Sequence, residues 1–138
     1  MSLVVREFTS VSELIKSIDD AIADLRKILG EYLRKVEELR VRVEQENKLK
    51  SILSKLGVAA TAPANELNLK TVKVYINPTS EQELTSLEAT LENINAKLTQ
   101  LIAMRKDLDA LAPLSDLNVK ITVVYVDGLP KTILLKFA

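Results

Sequence analysis

The side chains that carry most acid–base and nucleophilic chemistry are missing from this 138-residue sequence, which holds no histidine and no cysteine. Ser–His and Cys–His nucleophile pairs, thiolate metal sites and disulfides are thereby excluded. The three glycines, Gly30, Gly57 and Gly128, stand far apart, so no glycine-rich loop can wrap a phosphate. Three groupings remain. Asp19, Asp20 and Asp24 could hold a hard cation. Near a helix start, however, negative charge is favoured by the helix dipole alone, and a solvated face is expected. Arg34, Lys35, Arg40, Arg42, Lys48 and Lys50 could touch phosphate. Glu37, Glu38, Glu44 and Glu46 interleave with them, the alternation of a salt-bridged solvent face. Tyr75 and Tyr125 could stack bases, but only Lys70, Lys73 and Lys120 stand near them, and packing is the expected role. An enzyme built here would have to work with carboxylates, lysine or tyrosine alone. No catalysis, cofactor or metal is expected.

Composition narrows the class further. Apolar residues make up 47% and charged residues 28%, which suits a folded domain rather than a disordered chain. Aromatics are only 4%, so Leu, Ile, Val and Ala must build the core. Lys plus Arg balances Asp plus Glu at 19 each, so no overall field steers the chain to nucleic acid or membrane. No apolar run approaches the ~20 residues of a membrane span, and the first residues lack the apolar stretch of a signal peptide. A cytoplasmic protein without a membrane partner is expected.

The elements that would position these residues are clearer than the chemistry. Ile15, Ile22, Leu29, Val36 and Val43 recur every seven residues, and Ile18, Leu25, Tyr32 and Leu39 follow three later. This is a coiled-coil-like seam over four heptads. Ser10 and Glu13 have the spacing of a capping box. The spacing predicts a helix over 10–56, distorted or broken near 45–50, because the seam lapses at Glu46 and Lys50 and resumes out of register as Leu49, Ile52, Leu53 and Leu56. Residues 57–67 read as a loop. Alternation predicts a strand over 69–76, ended by Asn77-Pro78. A second helix is predicted over 80–112, with Leu84, Leu87, Leu91, Ile94, Leu98, Leu101 and Leu108 forming its seam and Pro113 ending it. Asp127-Gly128 predicts a hairpin over 118–137, its loop lengthened by Leu129-Pro130.

These elements give one domain over 1–138, of α/β class with α+β as the alternative, in the order β-α-β-α-β-β. Residues 67–76 and 117–126 match at several positions, as do the helix starts at Thr9-Ser10 and Thr79-Ser80, which leaves open either a duplication or chance. Right-handed crossovers would set both helices parallel on one face of a single sheet holding Val72, Val123 and Ile133. The other face carries Val124, Val126 and Leu134 and calls for cover. The parts are similar to those of prefoldin, which joins long coiled-coil helices through β-hairpins, but prefoldin's helices lie at the two ends of its chain.

The function these features point to is that of a structural or adaptor protein working by protein–protein contact through its helices. A homodimer or higher oligomer is expected, as is a further, unidentified protein partner. The expected contact residues are Ile15, Ile18, Ile22, Leu25, Leu29, Tyr32, Val36, Leu39, Val43, Leu87, Leu91, Ile94, Leu98 and Leu101. The early acids and late bases of both helices favour antiparallel contact between subunits. The alternative is an accessory subunit of a nucleic-acid machine, touching nucleic acid through the Arg34–Lys50 stretch.

Overall fold

The computed structural model describes residues 4–58 and 65–137. It is of mixed α+β class, with the order strand, helix, strand, helix, strand, strand; the middle strand position holds a short hairpin. The elements are β1 (Val5–Phe8), α1 (Val11–Lys55), β2 (Glu66–Asn68), β3 (Lys73–Tyr75), α2 (Ser80–Asp107), a 3-10 segment (Leu108–Leu114), β4 (Val119–Val126) and β5 (Leu129–Phe137). Where one domain is expected, the residues group into two compact units: 1–29 with 93–138, and 30–92. Both helices contribute residues to each.

Local hydrogen bonding explains where the helices begin. The Glu13 N–H donates to Ser10 Oγ at 3.1 Å, and the Thr9 N–H and hydroxyl donate to Glu13 Oε2 at 3.0 and 2.6 Å. At α2 the pair is Thr79 and Gln82: the Gln82 N–H donates to Thr79 Oγ1 at 3.1 Å, and the Thr79 N–H to Gln82 Oε1 at 3.0 Å. The Thr79–Gln82 pair closes a reciprocal box, whereas Glu13 reaches one residue past Ser10 to Thr9; both satisfy free amide donors. The two caps are offset by one residue relative to the match between Thr9-Ser10 and Thr79-Ser80.

The first unit is a three-stranded antiparallel sheet, order β1-β4-β5, with helix packed on it. Phe8 lies opposite Ile121, and Ile121 opposite Leu135. Leu14, Val11, Val123 and Ile121 are fully enclosed, with Ile18, Ile22, Leu98, Leu101 and Leu108 around them. The hairpin turn is Asp127-Gly128, both at positive φ (54° and 77°). Such a two-residue turn matches the twist of the strands it joins. Leu129 and Pro130 therefore do not lengthen the loop. They begin β5, with Pro130 opposite Tyr125 beside a bulge, where its missing donor is tolerated.

The second helix stops as α-helix at Asp107, short of the expected 112. Pro113 cannot accept α geometry from the four residues before it, and the chain tightens into the 3-10 segment that contains it.

In the second unit, α1 continues to Lys55, without the break expected as one possibility near 45–50. Glu46 keeps the seam position and accepts a hydrogen bond from Ser80 Oγ at 2.8 Å. Leu53, one heptad later, is half-buried in register, while Leu49, Ile52 and Leu56 are exposed. Lys50, the next seam position, is exposed, so the apolar seam lapses there while the helix continues.

The strand expected over 69–76 is instead a hairpin. The Leu69 N–H donates to the Val72 carbonyl at 2.9 Å, folding Leu67 back against Val74. Val72 thus lies in no strand, and β2 and β3 form their own two-stranded sheet. Residues 67–76 do not fold like 117–126, most of which form the single strand β4.

The helices do not run parallel as expected. In the second unit Arg40 meets Glu88 and Glu46 meets Ser80, so one number rises as the other falls. The crossover rule governs parallel strands of one sheet. Here β1 and β4 are antiparallel and β3 belongs to another sheet, so it does not apply.

Candidate interaction surfaces

The seam residues are buried or partly buried within their own chain. In the first unit Ile18, Ile22, Leu98 and Leu101 are buried, with Ile15, Leu25 and Leu29 packed against them and Ile94 half-buried. In the second, Val36 and Leu39 are buried, and Tyr32, Val43, Leu87 and Leu91 are half-buried. A heptad seam specifies an apolar neighbour; it does not say whether that neighbour belongs to the same chain.

Only some members of the charged groupings are held in ion pairs. Arg105 Nε donates to Asp19 at 2.9 Å and its Nη1 to Asp109 at 2.8 Å, and these hydrogen bonds, Asp109 first, raise the guanidinium pKa. Asp20 and Asp24 are exposed. Among the described residues no three metal-ligating side chains converge. Within the basic stretch, Arg40 bonds Glu37 at 3.0 Å and Glu88 at 3.4 Å, Lys48 lies 3.9 Å from Glu44, and Lys35 lies 5.3 Å from the Tyr32 ring centre. These basic side chains already have partners, which leaves less of the stretch for phosphate. Tyr75 and Tyr125 fall in different units. Tyr125 packs against the first core, and Tyr75 lies beneath Lys73, whose ammonium is held charged by Glu66 at 3.2 Å.

A cavity of about 520 Å³ in the second unit is lined by Lys35, Glu38, Arg42, Tyr75, Gln82 and Glu83, among others. One of about 660 Å³ in the first lies along Glu7, Phe8, Thr9, Lys120, Lys136 and Phe137. Among the described residues every buried side-chain nitrogen and oxygen has a hydrogen-bond partner.

What stands open is apolar. On the first unit's sheet, Val119, Ile121 and Val123 face the core, and Val5, Val124, Val126 and Leu134 lie on the other parity. Val5 sits directly opposite Val124, and Leu134 opposite Thr122. Val5, Val126 and Leu134 are about half exposed. Parity alone identified three of these four; Val5 joins them through the β1–β4 register. In the second unit, Leu49, Ile52, Leu56 and Val58 are exposed, as are Leu67, Leu69, Val72 and Ile76 around the β2–β3 hairpin. Sequence reasoning read the first three as a resumed seam, because covered and bare apolar rows have the same spacing. Among the described residues no helix is long and apolar enough to cross a membrane. No known family matches this sequence, and no curated protein or solved structure is significantly similar to it.

Proposed function

We propose that this chain is a non-enzymatic structural or adaptor protein that acts by protein–protein contact and pairs with a second copy of itself. The helix seam is buried or half-buried within each unit, which favours the outer face of the β1-β4-β5 sheet as the contact. The single observation that carries this reading is that strand register brings Val5, Val126 and Leu134, each about half exposed, onto one face with the partly exposed Val124. A three-stranded sheet with helix on one side and an apolar stripe on the other is half of a layered core. A second copy offers an identical stripe, and two-fold stacking would cover both at once. The Glu7–Lys120 ion pair, at 3.5 Å, provides a polar rim.

Sedimentation tests this. The unaltered chain is expected to sediment as a dimer. Leu134→Glu, at a half-exposed site that no core side chain depends on, is expected to give a folded monomer with an unchanged helical spectrum. A monomeric unaltered chain at high micromolar concentration would overturn the reading.

A further inference from the structure

We propose that the second unit also docks on an anionic lipid surface, through the end of α1 and the β2–β3 hairpin. The site is separate from the sheet face and does not depend on it.

The charge pattern is the first observation. Between Glu46 and Glu81 the sequence carries five lysines, Lys48, Lys50, Lys55, Lys70 and Lys73, and one acid, Glu66. In a chain that is neutral overall, this is a local positive field. Lys73 and Glu66 pair at 3.2 Å and Lys48 lies 3.9 Å from Glu44, so the field rests on Lys50, Lys55 and Lys70. Lys50, Lys55 and Lys70 are exposed.

The second observation is what lies among those lysines. Leu49, Ile52 and Leu56 recur at spacings of three and four, so they share one face of α1. They are 56%, 56% and 73% exposed. Lys48 and Lys55 lie one edge away on the same helix. The hairpin adds Leu67, Leu69, Val72 and Ile76, each about half exposed, with Lys70 between them. Bare aliphatic side chains flanked by lysines are the makeup of a segment that lies in a bilayer interface. The long lysine stems lie along the apolar surface while their ammonium groups reach the headgroups.

Two other partners fit less well. Nucleic acid would use the lysines but give large aliphatic side chains nothing to contact. An acidic amphipathic helix would call for an apolar groove, and the cavity described in this unit is lined by charged and polar side chains such as Lys35, Glu38, Arg42 and Glu83. An open apolar surface with a basic surround suits a lipid interface, which needs no groove and no membrane-crossing helix.

Flotation of the intact chain with vesicles tests the proposal. One set is phosphatidylcholine alone and the other phosphatidylcholine mixed with phosphatidylglycerol. Binding is expected on the anionic vesicles, weakened in high salt and about tenfold or more weaker on the neutral ones. Replacing one exposed lysine, Lys50→Gln or Lys55→Gln, should weaken it about fivefold. Leu49→Ser, Ile52→Ser and Leu56→Ser combined should abolish it without loss of helical signal, since these side chains are bare. Leu134→Glu should float as the unaltered chain does, which separates this site from the sheet face. No flotation with anionic vesicles, or equal flotation with both sets, overturns the proposal. So does a triple-serine variant that sediments as a smaller species in the absence of lipid, which would make the row a protein contact instead.

Discussion

Replacing Ile22 with alanine separates a residue of the chain's own core from one at a subunit interface. Ile22 is 7% exposed, in a cluster with Ile18, Leu98 and Leu101. Removing three carbons from such a site loses transfer free energy and leaves a cavity that packed neighbours only partly fill. Buried Ile→Ala changes cost roughly 2–5 kcal/mol, and a nearly enclosed site at the edge of its cluster should fall near 3 kcal/mol. The assay is urea unfolding followed by helical circular dichroism, at two protein concentrations a decade apart. If Ile22 is covered by its own chain, the difference between variant and parent is the same at both concentrations. If a partner copy covers it, the difference is linked to association, where a decade of concentration is worth about 1.4 kcal/mol. A difference that shrinks towards zero on dilution would refute the assignment of Ile22 to the first unit's core.

Three further outcomes follow from local geometry. Gly128→Ala should cost about 1 kcal/mol in the same unfolding assay, because φ of 77° strains any Cβ-bearing residue, whereas Asp127→Asn should be close to neutral. Ser80→Ala should lower stability by about 1 kcal/mol, through loss of its bond to Glu46, and a melting temperature equal to the parent's would show that the contact contributes nothing. Glu13 has its pKa lowered, first by the Thr9 hydroxyl, then by the Thr9 N–H. A depressed carboxylate stabilises the fold above its unfolded pKa, and that stability is lost as pH falls through its folded pKa; Glu13→Gln should therefore flatten the acid limb of a stability–pH curve, and an unchanged limb would count against the cap.

Signals that act over a few residues were readable from sequence. Ser10 and Glu13, the heptads from Ile15 to Val43 and the Asp127-Gly128 turn each state their own geometry. The turn joining β2 to β3 carries no glycine or proline, only Lys70-Thr71 between apolar residues, so Leu69–Ile76 looked like one strand. Helix direction was lost for the same reason: a rule for strands of one sheet was applied to strands of two. The contact residues were chosen for their seam, which reports an apolar neighbour without saying whose. The stripe on the sheet was half legible, since Val124, Val126 and Leu134 betray their parity, but Val5 joins them only through pairing with a strand far along the chain.

The way the units are drawn from the sequence also sets an order of assembly. Residues 30–92 leave the ribosome as one uninterrupted stretch, and the Arg40–Glu88 and Glu46–Ser80 contacts can close as soon as that stretch is out. Phe8 must wait for Ile121, and Ile121 for Leu135. During that interval Phe8, Val11 and Leu14 have no sheet to cover them, and loop closure over such a separation is slow. Apolar side chains of the first unit are therefore expected to stay uncovered until late in synthesis, and a chain stopped before β4 would lack the strands that complete that unit.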